Sequence, residues 1–95
     1  LPVLPMGQVV TSYYLRLRVN DQAGVLAELT GVLAKQGISI DAVLQRPAGA
    51  VLNQTDLIIM THECEESRMD QALKAMSAIP SVHGDIVRIR KEELN

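Results

Sequence analysis

The stretch Asn20-Asp21-Gln22-Ala23-Gly24-Val25-Leu26 follows a strand-like run, Tyr13 to Val19, and opens a helix-like run that ends before Gly37. A strand that turns straight into a helix gathers free backbone N–H groups and the positive end of a helix dipole at one point. That point suits a carboxylate, and Asp21 beside it can accept hydrogen bonds from an ammonium group. A free amino acid carries both charges on one carbon. The same residues also fit a plainer reading, in which Asp21 caps the helix and Gly24 only makes the turn.

Working outward, Tyr13, Leu15, Leu17 and Val19 alternate with Tyr14, Arg16 and Arg18, the period-two pattern of a strand with one buried face. Val25, Leu26, Leu29, Val32 and Leu33 fall at helical spacing over residues 24 to 36, with Gly37 placed as a C-terminal cap. Gly31 inside that helix costs about 1 kcal/mol against alanine; it is either simply tolerated or marks the close approach of another helix. Ile38 to Gln45 reads as a second strand, broken by a loop at Arg46-Pro47-Ala48-Gly49-Ala50. Asp56 to Thr61 is nearly all apolar, as a central strand covered on both faces would be. Met69, Ala72, Leu73, Met76 and Ile79 predict a second helix from 65 to 79, stopped by Pro80, and Val82 to Arg90 alternates as a fourth strand.

The order βαββαβ with right-handed crossovers predicts an α+β, ferredoxin-like sandwich. Its antiparallel sheet has the order 4-1-3-2, with both helices on one face. The first and fourth strands are then neighbours, so Arg16, Arg18, Arg88 and Arg90 are expected together on the face without helices. They would form either a solvated face or a docking surface for an acidic partner.

Composition narrows the function classes. With no Phe, no Trp and a formal net charge of −2, the 95-residue chain offers neither the aromatic platform of an RNA-recognition module nor a general attraction to polyanions. The single cysteine, Cys64, excludes an intramolecular disulfide and a cysteine-based zinc site. His62 reads as a ligand contact or a cap on the following helix, and His83 stands isolated. No nucleophile-base set, P-loop or dinucleotide fingerprint is present. Without a signal-type or 18-residue apolar segment, the chain reads as cytoplasmic. Residues 1–12, with two prolines and no period, look like a connector from a preceding domain; 13–91 form the domain and 92–95 a charged tail.

The run Tyr13 to Leu26, followed by Gly37-Ile38-Ser39-Ile40 and by Thr61-His62-Glu63, resembles the ACT domain family, and most closely the regulatory domain at the C-terminus of bacterial homoserine dehydrogenases. The Asp-x-x-Gly-Val-Leu core is shared broadly by ACT domains, whereas the Tyr-Tyr-Leu-Arg start and the Thr-His-Glu are narrower signals. The family commonly has proline where this chain has Ala23, which leaves Gly24, Val25 and Leu26 in place. The resemblance implies a paired, amino-acid-sensing domain with L-threonine as effector. By position, Asn20 and Asp21 would meet the ammonium or side-chain hydroxyl and the amides of Ala23, Gly24, Val25 and Leu26 the carboxylate, while Ser39 and Ile40 would face the ligand across a homodimer interface. It implies no cofactor in this chain, with NAD(P) belonging to a separate catalytic part that makes homoserine from aspartate semialdehyde. The alternative is a domain of the same fold that dimerises or docks without binding a small molecule.

Overall fold

Residues 10–21, 24–47 and 53–91 are described by the computed structural model. Their elements run β1 (Val10–Thr11), β2 (Tyr13–Asn20), α1 (Val25–Lys35), β3 (Ile40–Pro47), β4 (Gln54–Thr61), β5 (Cys64–Glu65), α2 (Glu66–Ser77) and β6 (Val82–Arg90). The four longer strands form one antiparallel sheet in the order β3-β4-β2-β6. Counting only these four, the chain is βαββαβ and the order, read from β6, is the predicted 4-1-3-2. No helix among the described residues is long and apolar enough to cross a membrane.

The alternation in β2 sets the core. Tyr13, Leu15, Leu17 and Val19 are buried with Leu57 and Ile59 of β4, and Val25, Leu29 and Leu33 of α1 and Met69, Ala72 and Met76 of α2 close over them. Each helix contributes one apolar stripe, and the two stripes share the same side of the sheet. In β4, Leu57, Ile58 and Ile59 are all buried, as expected of a strand held between two others. α1 ends in a Schellman arrangement. Gly37 has a φ of +74°, its N–H donates to Ala34 O, and the N–H of Ile38 donates to Leu33 O. Arg68 of α2 adds a hydrogen bond from Nη1 to Gln36 O (3.1 Å), tying the two helices together at that end.

Three features depart from the sequence-based picture. Arg88 and Arg90 are not on the open face. Residues directly opposite in an antiparallel pair share a face, and Arg88 pairs with buried Leu15 while Arg90 pairs with buried Tyr13. Both arginines therefore lie on the helix side, where Arg88 bonds Asp70, Arg90 bonds Glu66 (2.7 Å), and the Arg88 guanidinium stacks over the Tyr13 ring. Arg46 and Pro47 extend β3 opposite Asp56 and Thr55 rather than opening a loop; residues 48–50 of that expected loop lie outside the described residues. Val10 and Thr11, read as connector, pair with Glu65 and Cys64 as a two-stranded ribbon.

Candidate functional site

The strand-to-helix turn is built as the sequence requires. β2 ends at Asn20, and Gly24, with φ +89°, is the N-cap of α1. A side chain rarely tolerates that conformation, which is the reason for glycine at this point. The amides of Val25 and Leu26 in the first turn have no acceptor within α1. Among the described residues the exposed Asp21 carboxylate makes no hydrogen bond, so capping α1 is not its role. Its own N–H donates to Asn53 O (2.7 Å), and the N–H of Asn20 donates to Ser81 O (2.9 Å), fixing the turn from both sides. Ala23 lies outside the described residues.

A narrow cavity of about 40 Å³ sits at this turn, lined by Asn20, Asp21, Val25, Leu26, Gln45 and Thr55 among others. A shallower groove of about 290 Å³ adjoins it and is lined by Asp21, Gln45, Arg46, Gln54 and Thr55. The Thr55 hydroxyl donates to Arg46 O (2.7 Å), leaving its oxygen free to accept. Gln45 and Thr55 carry no recognisable motif; the sheet register brings them to Asp21. His83 is likewise not isolated: its Nε2 lies 2.5 Å from Asn20 Oδ1, which ties the Asn20 carboxamide to β6 on the face opposite buried Val19.

Ser39 and Ile40 are elsewhere. Ile40 pairs with Thr61, the last residue of β4, whereas Asn20 pairs with Gln54, the first. The two halves of the predicted site therefore stand at opposite ends of one copy. Ser39 and Ile40 instead line a groove of about 610 Å³ between α1 and the edge strand β3, together with the small residues Ala27, Gly31 and Ala34. A Cβ at Gly31 would meet nothing within 4 Å, so packing inside one copy does not require glycine there. His62 joins this end, its N–H donating to Ser39 O (2.9 Å) and its ring 3.7 Å from Asp41; it does not cap α2, whose N-cap is Glu65.

Cys64 is buried, and burial pushes its thiol pKa up, away from the reactive thiolate. No group of three or more His, Cys, Asp or Glu able to hold a metal occurs among the described residues.

The profile of the ACT domain family matches residues 13–81. The chain belongs to the ACT family. This ACT domain is 45% identical over 95 residues to the homoserine dehydrogenase of Methylobacillus glycogenes, a match covering 100% of the chain and 23% of that enzyme. It is 37% identical over 94 residues to the homoserine dehydrogenase of Pseudomonas aeruginosa, covering 99% of the chain and 22% of the enzyme. The crystal structure of a homoserine dehydrogenase from Thiobacillus denitrificans superposes on 94% of the domain and 19% of its own chain, at a TM-score of 0.82 and 43% identity. The domain thus spans less than a quarter of the enzymes it resembles.

Proposed function

We propose that this ACT domain senses an amino acid, L-threonine before others, and regulates a homoserine dehydrogenase, an NAD(P)-dependent oxidoreductase, in the same polypeptide. The observation that carries the reading is the end-to-end separation of Asn20 and Ile40 together with the edge of β3, which pairs with no strand but β4 among the described residues. A strand edge with free N–H and C=O groups is a template for another strand. If a second copy pairs there about a two-fold axis, β3 meets β3 antiparallel, and Ile40 of each copy lies beside the Pro47 end of the other. That is the end at which Asn20, Asp21 and the first turn of α1 stand. Each ligand would then sit between two copies, with Asp21 on its ammonium, the amides of Val25 and Leu26 on its carboxylate, and Ser39 and Ile40 of the second copy closing over it. The groove of small residues along α1 lets the two α1 helices approach, with Gly31 at the crossing.

The narrow cavity favours a short side chain, and Thr55 and Gln45 supply polar atoms for a hydroxyl, which is the basis for threonine over larger or purely apolar amino acids. Binding energy available only in one arrangement of the pair would bias the attached enzyme by a coupling on the order of 1–3 kcal/mol.

Thermal unfolding against a panel of L-amino acids, with D-threonine as control, tests the reading. Ligand at 100 times its Kd adds about 2.7 kcal/mol, a rise of roughly 10–20 °C in Tm for a chain of this size. A shift with L-threonine and none with D-threonine is the expected result. A flat panel from folded, paired protein would make this a docking domain without a ligand.

A further inference from the structure

The ribbon of Val10 and Thr11 against Cys64 and Glu65 lies at the end of the main sheet marked by Tyr13, Ile40, Thr61 and Arg90. One of its strands runs through Ser12 into β2, and the other continues directly into α2, whose first residue is Glu66. Hydrogen bonds tie this corner to the Ser39 half of the proposed site: the N–H of His62 donates to Ser39 O (2.9 Å), and the N–H of Tyr13 donates to Thr61 Oγ1 (3.1 Å). Ser39, His62, Thr61, Tyr13, Ser12 and Thr11 are thus joined end to end by hydrogen bonds and peptide links. Thr11 stands opposite Cys64 and so shares its face, and that face is inward, since Cys64 is buried in the core.

The ribbon is the weakest ladder at this corner. Its strands have 2 residues each, against 8 in β2 and 9 in β6, and a two-stranded pairing of that length is marginal by itself. The residues adjoining it favour parting: among the described residues the Tyr13 hydroxyl and Glu66 Oε2 are buried without a hydrogen-bond partner, a cost that water reaching them would relieve. A short ladder beside unsatisfied groups has two arrangements close in free energy, paired and parted, while the main sheet and the helices stay as they are.

We propose that the β1–β5 ribbon is a strap set by the effector: it closes when a ligand holds Ser39 and parts when the site is empty, so that the ligand decides whether the chain entering the domain is fastened to α2. This rests on the sensing reading given above. A ligand clamped by Ser39 and Ile40 fixes His62 and Thr61, and Thr61 fixes Tyr13, so much of the entropy lost in ordering Thr11 has been lost already. The coupling is reciprocal, and closing the strap tightens the ligand by the factor by which the ligand closes the strap.

Cys64 reports the strap directly, being the only cysteine of the 95-residue chain and lying opposite Thr11. Its labelling by Ellman's reagent is followed with and without saturating L-threonine, in the chain and in the double variant Val10→Pro/Thr11→Pro, which removes both N–H groups of β1 and leaves the strap parted. Circular dichroism confirms folding, and Thr11→Gly, which weakens the strand, serves if the double variant does not fold. The expected result is labelling slowed by L-threonine by on the order of 5–150-fold in the unaltered chain and not at all in the variant, whose Kd by calorimetry is weaker by that same factor. Binding of L-threonine with no slowing overturns the strap and leaves the sensor reading standing. Slowing that the proline variant shares, or labelling that rises with urea as steeply as global unfolding, overturns it too, because the thiol is then bared by unfolding of the whole domain. No binding of L-threonine by either protein overturns the sensor reading and the strap together.

Discussion

Asn20 and Ile40 lie at opposite ends of the same strand ladder, opposite the first and last residues of β4. At about 3.4 Å per residue the separation is on the order of 24 Å, several times the length of an amino acid. A ligand that touches both must touch two copies of the chain, and the edge of β3, unpaired among the described residues, is where a second copy can bring them together.

Gly31→Leu is the simplest way to block that approach. Among the described residues nothing lies within 4 Å of a Cβ at this position, which opens onto the groove along α1, and a helix gains about 0.8 kcal/mol when glycine is replaced by a good helix former. The expected variant has lost edge pairing by sedimentation, has a urea midpoint no lower than the wild type under conditions where both are monomeric, and does not respond to L-threonine. Retention of pairing and response would place the dimer contact away from α1.

Gly24→Ala separates backbone strain from side-chain crowding at the site. Among the described residues a Cβ there meets no atom within 4 Å, and the φ of +89° opposes it. The variant should lose about 1–2 kcal/mol by urea unfolding. A larger loss of ligand response than this global cost predicts would mark the first-turn amides as the carboxylate cradle.

Tyr13 predicts an alkaline effect. Its hydroxyl is buried with no hydrogen-bond partner among the described residues, and burial, then the Glu66 carboxylate, raise its pKa above 10.0. A phenol whose pKa is higher in the folded than in the unfolded state contributes stability that is fully present below pH 10 and is lost as pH rises through the folded value. Tyr13→Phe should gain about 1 kcal/mol at pH 7 by removing an unsatisfied buried group, and should weaken the fall in urea midpoint above pH 10. An unchanged alkaline limb would assign the effect to another group.

The opposite limb belongs to Asp56. Its pKa is lowered, chiefly by the Arg18 hydrogen bond, so its contribution is present above the unfolded value of 3.8 and is lost as pH falls through the lower folded value. Both side chains are partly exposed, so the effect is modest and weakens with salt. Asp56→Asn should flatten the urea midpoint of the acid limb below pH 4 at low salt. A limb as steep as the wild type's would exclude this pair as its source.

How far the sequence could be read depended on the range of the interaction. The period-two run from Tyr13, the helical stripes of α1 and α2, and Gly37 are local signals, and each forms the element its neighbours dictate. The strand order follows because short connections and crossover handedness leave few topologies. Which face a strand presents is decided by register, and register comes from the partner strand. Alternation in β6 correctly separates Arg88 and Arg90 from Val87 and Ile89, but only the pairing with Tyr13 and Leu15 turns the arginines toward α2. The same non-locality hid Gln45 and Thr55 from the site. Asn20, Asp21 and Gly24 were visible because a strand-to-helix turn is itself local.

Calorimetric titration of two variants, alone and mixed, tests the central claim most directly. Asp21→Ala removes one half of each site and Ser39→Lys obstructs the other, so neither protein alone should bind L-threonine. Random re-pairing of equal amounts makes half the pairs mixed, each with one site whose two halves are both unaltered, and the account predicts recovery of about a quarter of the wild-type sites. No binding in the mixture, from pairs shown to have exchanged, would contradict a ligand site shared between two copies of this domain.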